Sequence, residues 1–278
     1  SAGTGIADVL MNARISETES AARRSLMNLN HAIFSFAYAG AAILTGFARE
    51  AGLGPVTIFS IICGAILLMC LWMRAPHKIT PQDTVLDMHP APRGIVWIGG
   101  LVVLAALMAE QATEGWSALH LERTLGAGAA EGSFGPAVLG LTMGFGRLFG
   151  HVLAARVRDT VMITVACLIS AAGLALAAFA PNILVAYFGF GIMGLGISVV
   201  MPLALALVGR VVPPDARVHA LSRTSLIGYG AYFIGPAMIG FASEAFSLSV
   251  AFLLVSVWLV LVAAFLVPLL ARRVAVRG

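Results

Sequence analysis

Long uncharged runs alternate with short charged clusters along this chain. No Asp, Glu, Lys or Arg occurs from Ser25 to Ala48, Ala51 to Met73, Thr160 to Gly209 or Ala245 to Ala271. A helix needs about 20 apolar residues to cross a bilayer, and these runs are long enough. The pattern predicts an all-α, polytopic membrane protein with eight full spans, near 30–48, 53–73, 95–113, 133–152, 160–180, 183–208, 224–243 and 248–270. The run from Thr160 to Gly209 is too long for one helix. Ala180-Pro181-Asn182 divides it, because proline lacks an amide hydrogen and restricts the residue before it. Residues 1–13 read as half of a further span.

Composition agrees with this reading. Hydrophobic residues make up 60% of the chain and charged residues 11%, whereas soluble domains carry about 25% charged residues. The basic residues lie between the apolar runs and form no nucleic-acid-binding motif, so the expected surroundings are lipid and no nucleic-acid partner is expected. One set of loops carries Arg14, Arg23, Arg24, then Arg74, Lys78, Arg93, then Arg147, Arg156, Arg158, then Arg210, Arg217, Arg223, then Arg272, Arg273, Arg277; the opposite set carries Arg49 and Arg123. The excess of 15 over 2 alternates loop by loop, and a miscounted span would scramble it. By the positive-inside rule the first set, with the C-terminus, is cytoplasmic, as in a bacterial-type inner membrane. Ser1 to Asn12 lacks the basic start and apolar core of a cleavable signal peptide. Cys63, Cys70 and Cys167 are isolated within apolar runs and read as buried free thiols. Neither a zinc constellation, a nucleotide loop nor a nucleophile triad is visible, so no enzyme activity, cofactor or metal is expected.

Residues 74–94 hold Pro76, Pro81, Pro90 and Pro92 and suit a cytoplasmic linker. The expected organisation is a partial N-terminal bundle (1–73), this linker (74–94), a six-helix C-terminal bundle (95–271) and a short tail (272–278). An internal repeat supports two bundles. Gly3-Thr-Gly5-Ile6 resembles Gly194-Leu-Gly196-Ile197, and Tyr38 with Gly46-Phe47-Ala48-Arg49-Glu50 resembles Tyr232 with Gly240-Phe241-Ala242-Ser243-Glu244. Repeated bundles mark secondary transporters. Aligned this way, the first bundle would lack three helices and half a fourth.

Two bundles, a cytoplasmic linker and internal termini resemble the major facilitator superfamily. Gly144-Phe-Gly146-Arg147-Leu-Phe-Gly150-His151, followed by Arg156 and Arg158, is similar to its loop motif between the eighth and ninth helices, without the usual acidic residue before the arginine. Gly3-x-Gly5-x-x-Asp8-x-x-x-Asn12 and Gly194-Leu-Gly196 with Pro202 resemble the fourth and tenth helices of its fucose-permease branch. Glu110, Trp116-Ser117-Ala118 and His31-x-x-Phe34-Ser35 are similar to a set of bacterial permeases. The resemblance implies the two-bundle fold with an incomplete first bundle, a monomer, and proton-coupled transport of a small polar solute, such as a sugar, by alternating access. Proton-driven export of drug-like molecules and a truncated, non-transporting membrane protein are the alternatives.

Asp8 is the first candidate for proton coupling, since a carboxylate within a bilayer is costly unless paired, protonated or wet; pairing with Arg14 as a helix cap is the other reading. Glu110, in the outer part of its predicted span, would contact solute, take part in coupling or gate, or simply reach the surface beside Glu114. His31 would shuttle protons or contact solute, or sit hydrogen-bonded at the interface. Arg147, with Gly144 and Gly150, would form a cytoplasmic gate, or Arg147 would only anchor the cytoplasmic side. Asn12, Tyr38 and Tyr232 offer hydrogen bonds to a polar solute, or packing between helices.

Overall fold

Inside a bilayer the backbone has no water to bond, so a spanning segment must satisfy its amides and carbonyls within itself. The computed structural model describes residues 27–72, 93–154 and 157–275, with isolated positions 11, 15 and 18, and no strand occurs among them. The helices are α1 (Met27–Glu50), α2 (Pro55–Trp72), α3 (Arg93–Thr124), α4 (Ala129–Ala154), α5 (Asp159–Ala178), α6 (Ile183–Ile197), α7 (Val200–Val211), α8 (Arg217–Tyr229), α9 (Ala231–Ala245), α10 (Leu248–Leu261) and α11 (Val267–Ala275).

Six helical legs are long and apolar enough to cross a membrane among the described residues: Leu29–Glu50, Arg93–Thr124, Asp159–Ala178, Ile183–Val211, Arg217–Ala245 and Leu248–Val274. The hydrophobic pattern predicted eight and a half. Helix α2 is apolar but short. Helix α4 has 26 residues, with Arg147 and several glycines diluting its hydropathy. The predicted half-span falls almost wholly outside the described residues.

Several legs are broken where the sequence demands it. Between α6 and α7 the helix opens at Ser198–Val199, because Pro202 has no amide to give the Ser198 carbonyl. A π-helical turn, Val262–Leu266, precedes Pro268, with the Val267 amide bonding the Val262 carbonyl five residues back. Asn182 starts α6 by accepting from the Val185 amide at 3.0 Å, and Ser247 starts α10 by accepting from the Val250 amide at 3.2 Å. Helix α3 is continuous for 32 residues and runs past its predicted end at 113 as far as Thr124.

Most of the buried apolar side chains form one cluster between α3, α4, α5, α6 and α10, with Leu139, Ile163, Phe190, Met193 and Phe252 at its centre. A smaller cluster, including Ile95, Val208 and Leu270, closes the Arg93 end. The most extensive helix pairings are α1 with α4 and α5 with α6. Helix α2 turns Val56, Phe59, Leu67 and Met69 outward, which suits lipid as the solvent.

The α5–α6 pairing depends on backbone meeting backbone. A Cβ placed on Gly173 would lie 2.5 Å from the Met193 amide nitrogen, and one on Gly189 would lie 2.5 Å from the Ala177 amide nitrogen. Small residues permit such crossings in membranes, where packing and not hydrophobicity drives helix association. Alanine at Gly173 or Gly189 would gain about 1 kcal/mol of helix propensity. The backbone it strikes cannot rotate aside, and overpacking costs about 1–3 kcal/mol or more. Gly173→Ala and Gly189→Ala are each expected to lower the thermal unfolding midpoint in detergent, and Gly40→Ala, where a Cβ meets nothing within 4 Å, is expected to leave it unchanged or raise it.

Candidate functional site

Side chains on an α-helix lean toward its N-terminus. Helices α3 and α4 run in opposite directions, so Glu110 leans toward the Arg93 end while Arg147 leans back toward Ala129. The two meet. Arg147 Nη2 donates to Glu110 Oε1 at 3.3 Å, and Nη1 donates to Ser35 Oγ of α1 at 2.6 Å and to the His31 carbonyl at 3.5 Å. Ser35 Oγ donates to the same carbonyl at 2.9 Å. One guanidinium therefore ties α1 to both α3 and α4.

The pair is largely withdrawn from solvent: the Arg147 and Glu110 side chains keep 18% and 17% of their surface, and Ser35 is 3% exposed. Taking charges from water costs several kcal/mol per ion, and only good partners offset it. Here the fork of Arg147 finds a carboxylate, a hydroxyl and a carbonyl. Along α3, Glu110 lies about 26 Å from the Arg93 end and about 21 Å from the Thr124 end, by the rise per residue. It therefore lies near the middle of α3, which continues past the expected end at 113. Arg147 stands within α4, bonded to groups on two other helices.

Glu114 follows Glu110 by one turn and shares its face. It accepts from Gln111 Nε2 at 2.8 Å. On α1, Tyr38 follows Ser35 by about one turn. Its ring packs over Gly140 of α4, where an added Cβ would come within 2.9 Å of the ring and 3.0 Å of the Ser35 carbonyl. Gly140 thus allows the approach that brings α1 to the charged centre.

The other expected residues fall out as follows. Gly144 faces Phe36 of α1, and Gly150 faces Val199 at the α6–α7 break. Both act as points of close helix contact on opposite sides of α4. His31 contributes its carbonyl to the Arg147 network. Tyr232 packs at a tilt on Tyr229, with ring centroids 5.9 Å apart, in the α8–α9 leg. Asp8 and Asn12 lie outside the described residues. Cys63 and Cys70 are exposed on α2, contrary to the buried thiols expected, whereas Cys167 is buried. The hydrophobic run was read correctly, but α2 presents that face outward.

A second polar group closes the Glu50 end. Arg49 makes a two-point bridge to Glu122 of α3, at 2.7 and 3.1 Å. Glu50 accepts from the Ala130 amide at 2.8 Å, at the start of α4. That amide is an unpaired helix-start donor, which favours a carboxylate. Exposed bridges of this kind contribute about 0–1 kcal/mol, so this latch is weak beside the central pair. At the opposite end Asp159 bridges Arg210, holding α5 to α7.

Sequence reasoning treated Ser35 only as part of a motif and Glu114 only as a surface residue. The four-residue spacing of Glu110 and Glu114 was the available signal. It also passed over His120, which is 1% exposed. His120 Nε2 donates to the Ala177 carbonyl at 3.1 Å, leaving Nδ1 to accept from the Thr124 hydroxyl at 3.3 Å. Edge-on contacts to Phe190 and Phe252 complete its site. It ties α3 to α5 inside the core. A separate hollow of about 350 Å³ at the Thr124 end is lined by Trp116, Leu119, Arg123, Ser243 and Glu244. Among the described residues, no group of three or more His, Cys, Asp and Glu could hold a metal ion.

Removing one member of a buried pair leaves the other charge without its counterion. Arg147→Met is expected to destabilise the fold by roughly 3 kcal/mol, the low end for buried pairs because both side chains keep some surface. Adding Glu110→Gln to the same chain should recover much of that loss. Thermal unfolding of the two single variants and the double variant measures the coupling, and strictly additive shifts would show that the pair is not coupled.

Residues 99–277 match the Major Facilitator Superfamily. The chain is 31% identical over 268 residues to an uncharacterised MFS-type transporter of Yersinia pestis, covering 95% of this chain and 68% of the relative. It is 26% identical over 278 residues to the uncharacterised transporter y4wD of Sinorhizobium fredii, covering 96% and 71%. It is 26% identical over 272 residues to membrane protein MosC of Rhizobium meliloti, covering 91% and 62%. Its fold is similar to the crystal structure of a bacterial homologue of the human lysosomal transporter Spinster, in an inward-facing and occupied conformation. That likeness has a TM-score of 0.58 at 18% identity and covers 88% of this chain and 67% of the other. The chain thus belongs to the Major Facilitator Superfamily and is a multi-pass membrane transporter.

Proposed function

We propose that this protein is a proton-coupled secondary transporter of a small polar solute, working by alternating access between two bundles. The observation that carries the reading is the contact of Arg147 with Glu110 on one side and Ser35 on the other. Ionisable residues inside membrane helices are costly and mark substrate or ion pathways. This one links α1, from the first part of the chain, to α3 and α4, from the second. A change in the charge of Glu110 alters what Arg147 holds, and with it the contact between the two parts. Glu110 then carries the coupling proton and Arg147 is its counter-charge, with Tyr38 and His31 beside them. Asp8, given the same role by its motif, is the second carboxylate to test. The eight-and-a-half-span topology, the inner membrane and a cytoplasmic C-terminus complete the proposal, on the distribution of basic residues. The sugar-like solute rests on the fucose-permease resemblance alone.

Uptake by the full chain in proteoliposomes, across a panel of polar solutes with and without a pH gradient, tests the reading. A transported solute should accumulate only with the gradient. Glu110→Gln is expected to reduce that accumulation roughly tenfold or more while exchange of labelled for unlabelled solute continues. Undiminished gradient-driven accumulation in both Glu110→Gln and Asp8→Asn would remove the proton role from these residues.

A further inference from the structure

The hollow at the Thr124 end shares no residue with the Arg147 centre. It lies where three membrane-length legs turn: Arg93–Thr124 and Arg217–Ala245 end there, and Leu248–Val274 begins there. Trp116, Leu119 and Leu248 give it apolar walls. The far edge of the Trp116 ring lies over Gly240 of α9, where an added Cβ would stand 3.8 Å from Cη2, so the indole reaches from α3 to α9. At about 350 Å³ the hollow is at the small end of ligand pockets, which run from about 300 to 1,000 Å³.

The polar groups of its lining divide in two. Thr124 Oγ1 is spent on His120 Nδ1, and Ser243 Oγ on the Gly240 carbonyl. The Arg123 guanidinium, the Glu244 carboxylate and the Trp116 indole N–H have no bonding partner among the described residues. Arg123 and Glu244 are exposed, and an exposed charge needs only water. What sets this place apart is that a cation and an anion line one hollow without bridging each other, beside an open indole donor.

We propose that the hollow binds a compact zwitterion, an oxyanion and an ammonium joined by a short spacer. The fork of Arg123 would take the oxyanion, with the indole N–H as a further donor, and Glu244 would take the ammonium. A lone anion would be opposed by Glu244 and a lone cation by Arg123. The apolar walls focus the field of both charges on whatever enters. A free solute and the head group of an ethanolamine phospholipid both carry this chemistry, and a hollow at the ends of membrane legs is open to either. The site is additional to the Arg147 centre and does not rest on the transport reading.

Phosphoethanolamine is the probe, with ethanolamine and inorganic phosphate as its two halves. The full chain, in nanodiscs of phosphatidylglycerol, whose head group has no ammonium, is titrated with each by calorimetry at neutral pH. Phosphoethanolamine is expected to bind about tenfold or more tightly than either half, the scale of one charge-assisted hydrogen bond. Arg123→Gln and Glu244→Gln should each abolish that advantage, while Arg123→Lys and Glu244→Asp should keep part of it. Melting curves without ligand show which variants are folded; should a Gln variant fail, its conservative counterpart and the other Gln variant carry the test. Replacing part of the phosphatidylglycerol by phosphatidylethanolamine separates the two sources. Weaker binding of the soluble probe then shows that the head group occupies the hollow, and unchanged binding shows that a free zwitterion does. No binding of phosphoethanolamine, binding no tighter than that of a half, or an advantage that survives in a folded Gln variant overturns the inference.

Discussion

A guanidinium in the middle of a helical bundle must be matched where it stands, because neither water nor lipid can do it. Arg147 is matched by three groups on two other helices, and that requirement organises the centre of the molecule. It draws Ser35 and the His31 carbonyl of α1 against α4 and turns the face of α3 that carries Glu110 toward both. The glycines of α4 serve the same end: Gly140 and Gly144 receive Tyr38 and Phe36 from α1. Remove the charge, and the reason for so close an approach at this depth disappears.

Two polar contacts of unequal strength hold α1 to its neighbours at different heights. The central one is sheltered and bonded to three groups. The one at the Glu50 end, Arg49 to Glu122 with Glu50 on the first turn of α4, is exposed and so screened by solvent. Around them the α5–α6 crossing, backbone on backbone at Gly173 and Gly189, and the His120 bond from α3 to the Ala177 carbonyl of α5 pack the second part of the chain together.

Glu110 and Glu114 show how one helix face can give two like groups different partners. They have the same chemistry and stand one turn apart. Glu110 faces a cation of the protein; Glu114 faces an amide. The difference comes from the direction in which antiparallel α4 delivers its arginine.

The sequence by itself determined that the chain is helical and membrane-spanning, which of its stretches are apolar, and where prolines interrupt them. Those properties follow from local chemistry: uncharged length, the missing amide at Pro181, and the need of each helix to satisfy its own backbone. It also singled out Glu110 and Arg147, because a charge within or beside an apolar run is conspicuous. It could not join them, and read one as an outer residue and the other as a cytoplasmic gate or anchor. Their meeting depends on α3 continuing to Thr124, on the opposed lean of side chains in antiparallel helices, and on the length of an arginine. The place of Ser35, the buried bonds of His120 and the outward face of α2 were likewise hidden. Each depends on which faces of separate helices meet, and only the packed bundle decides that.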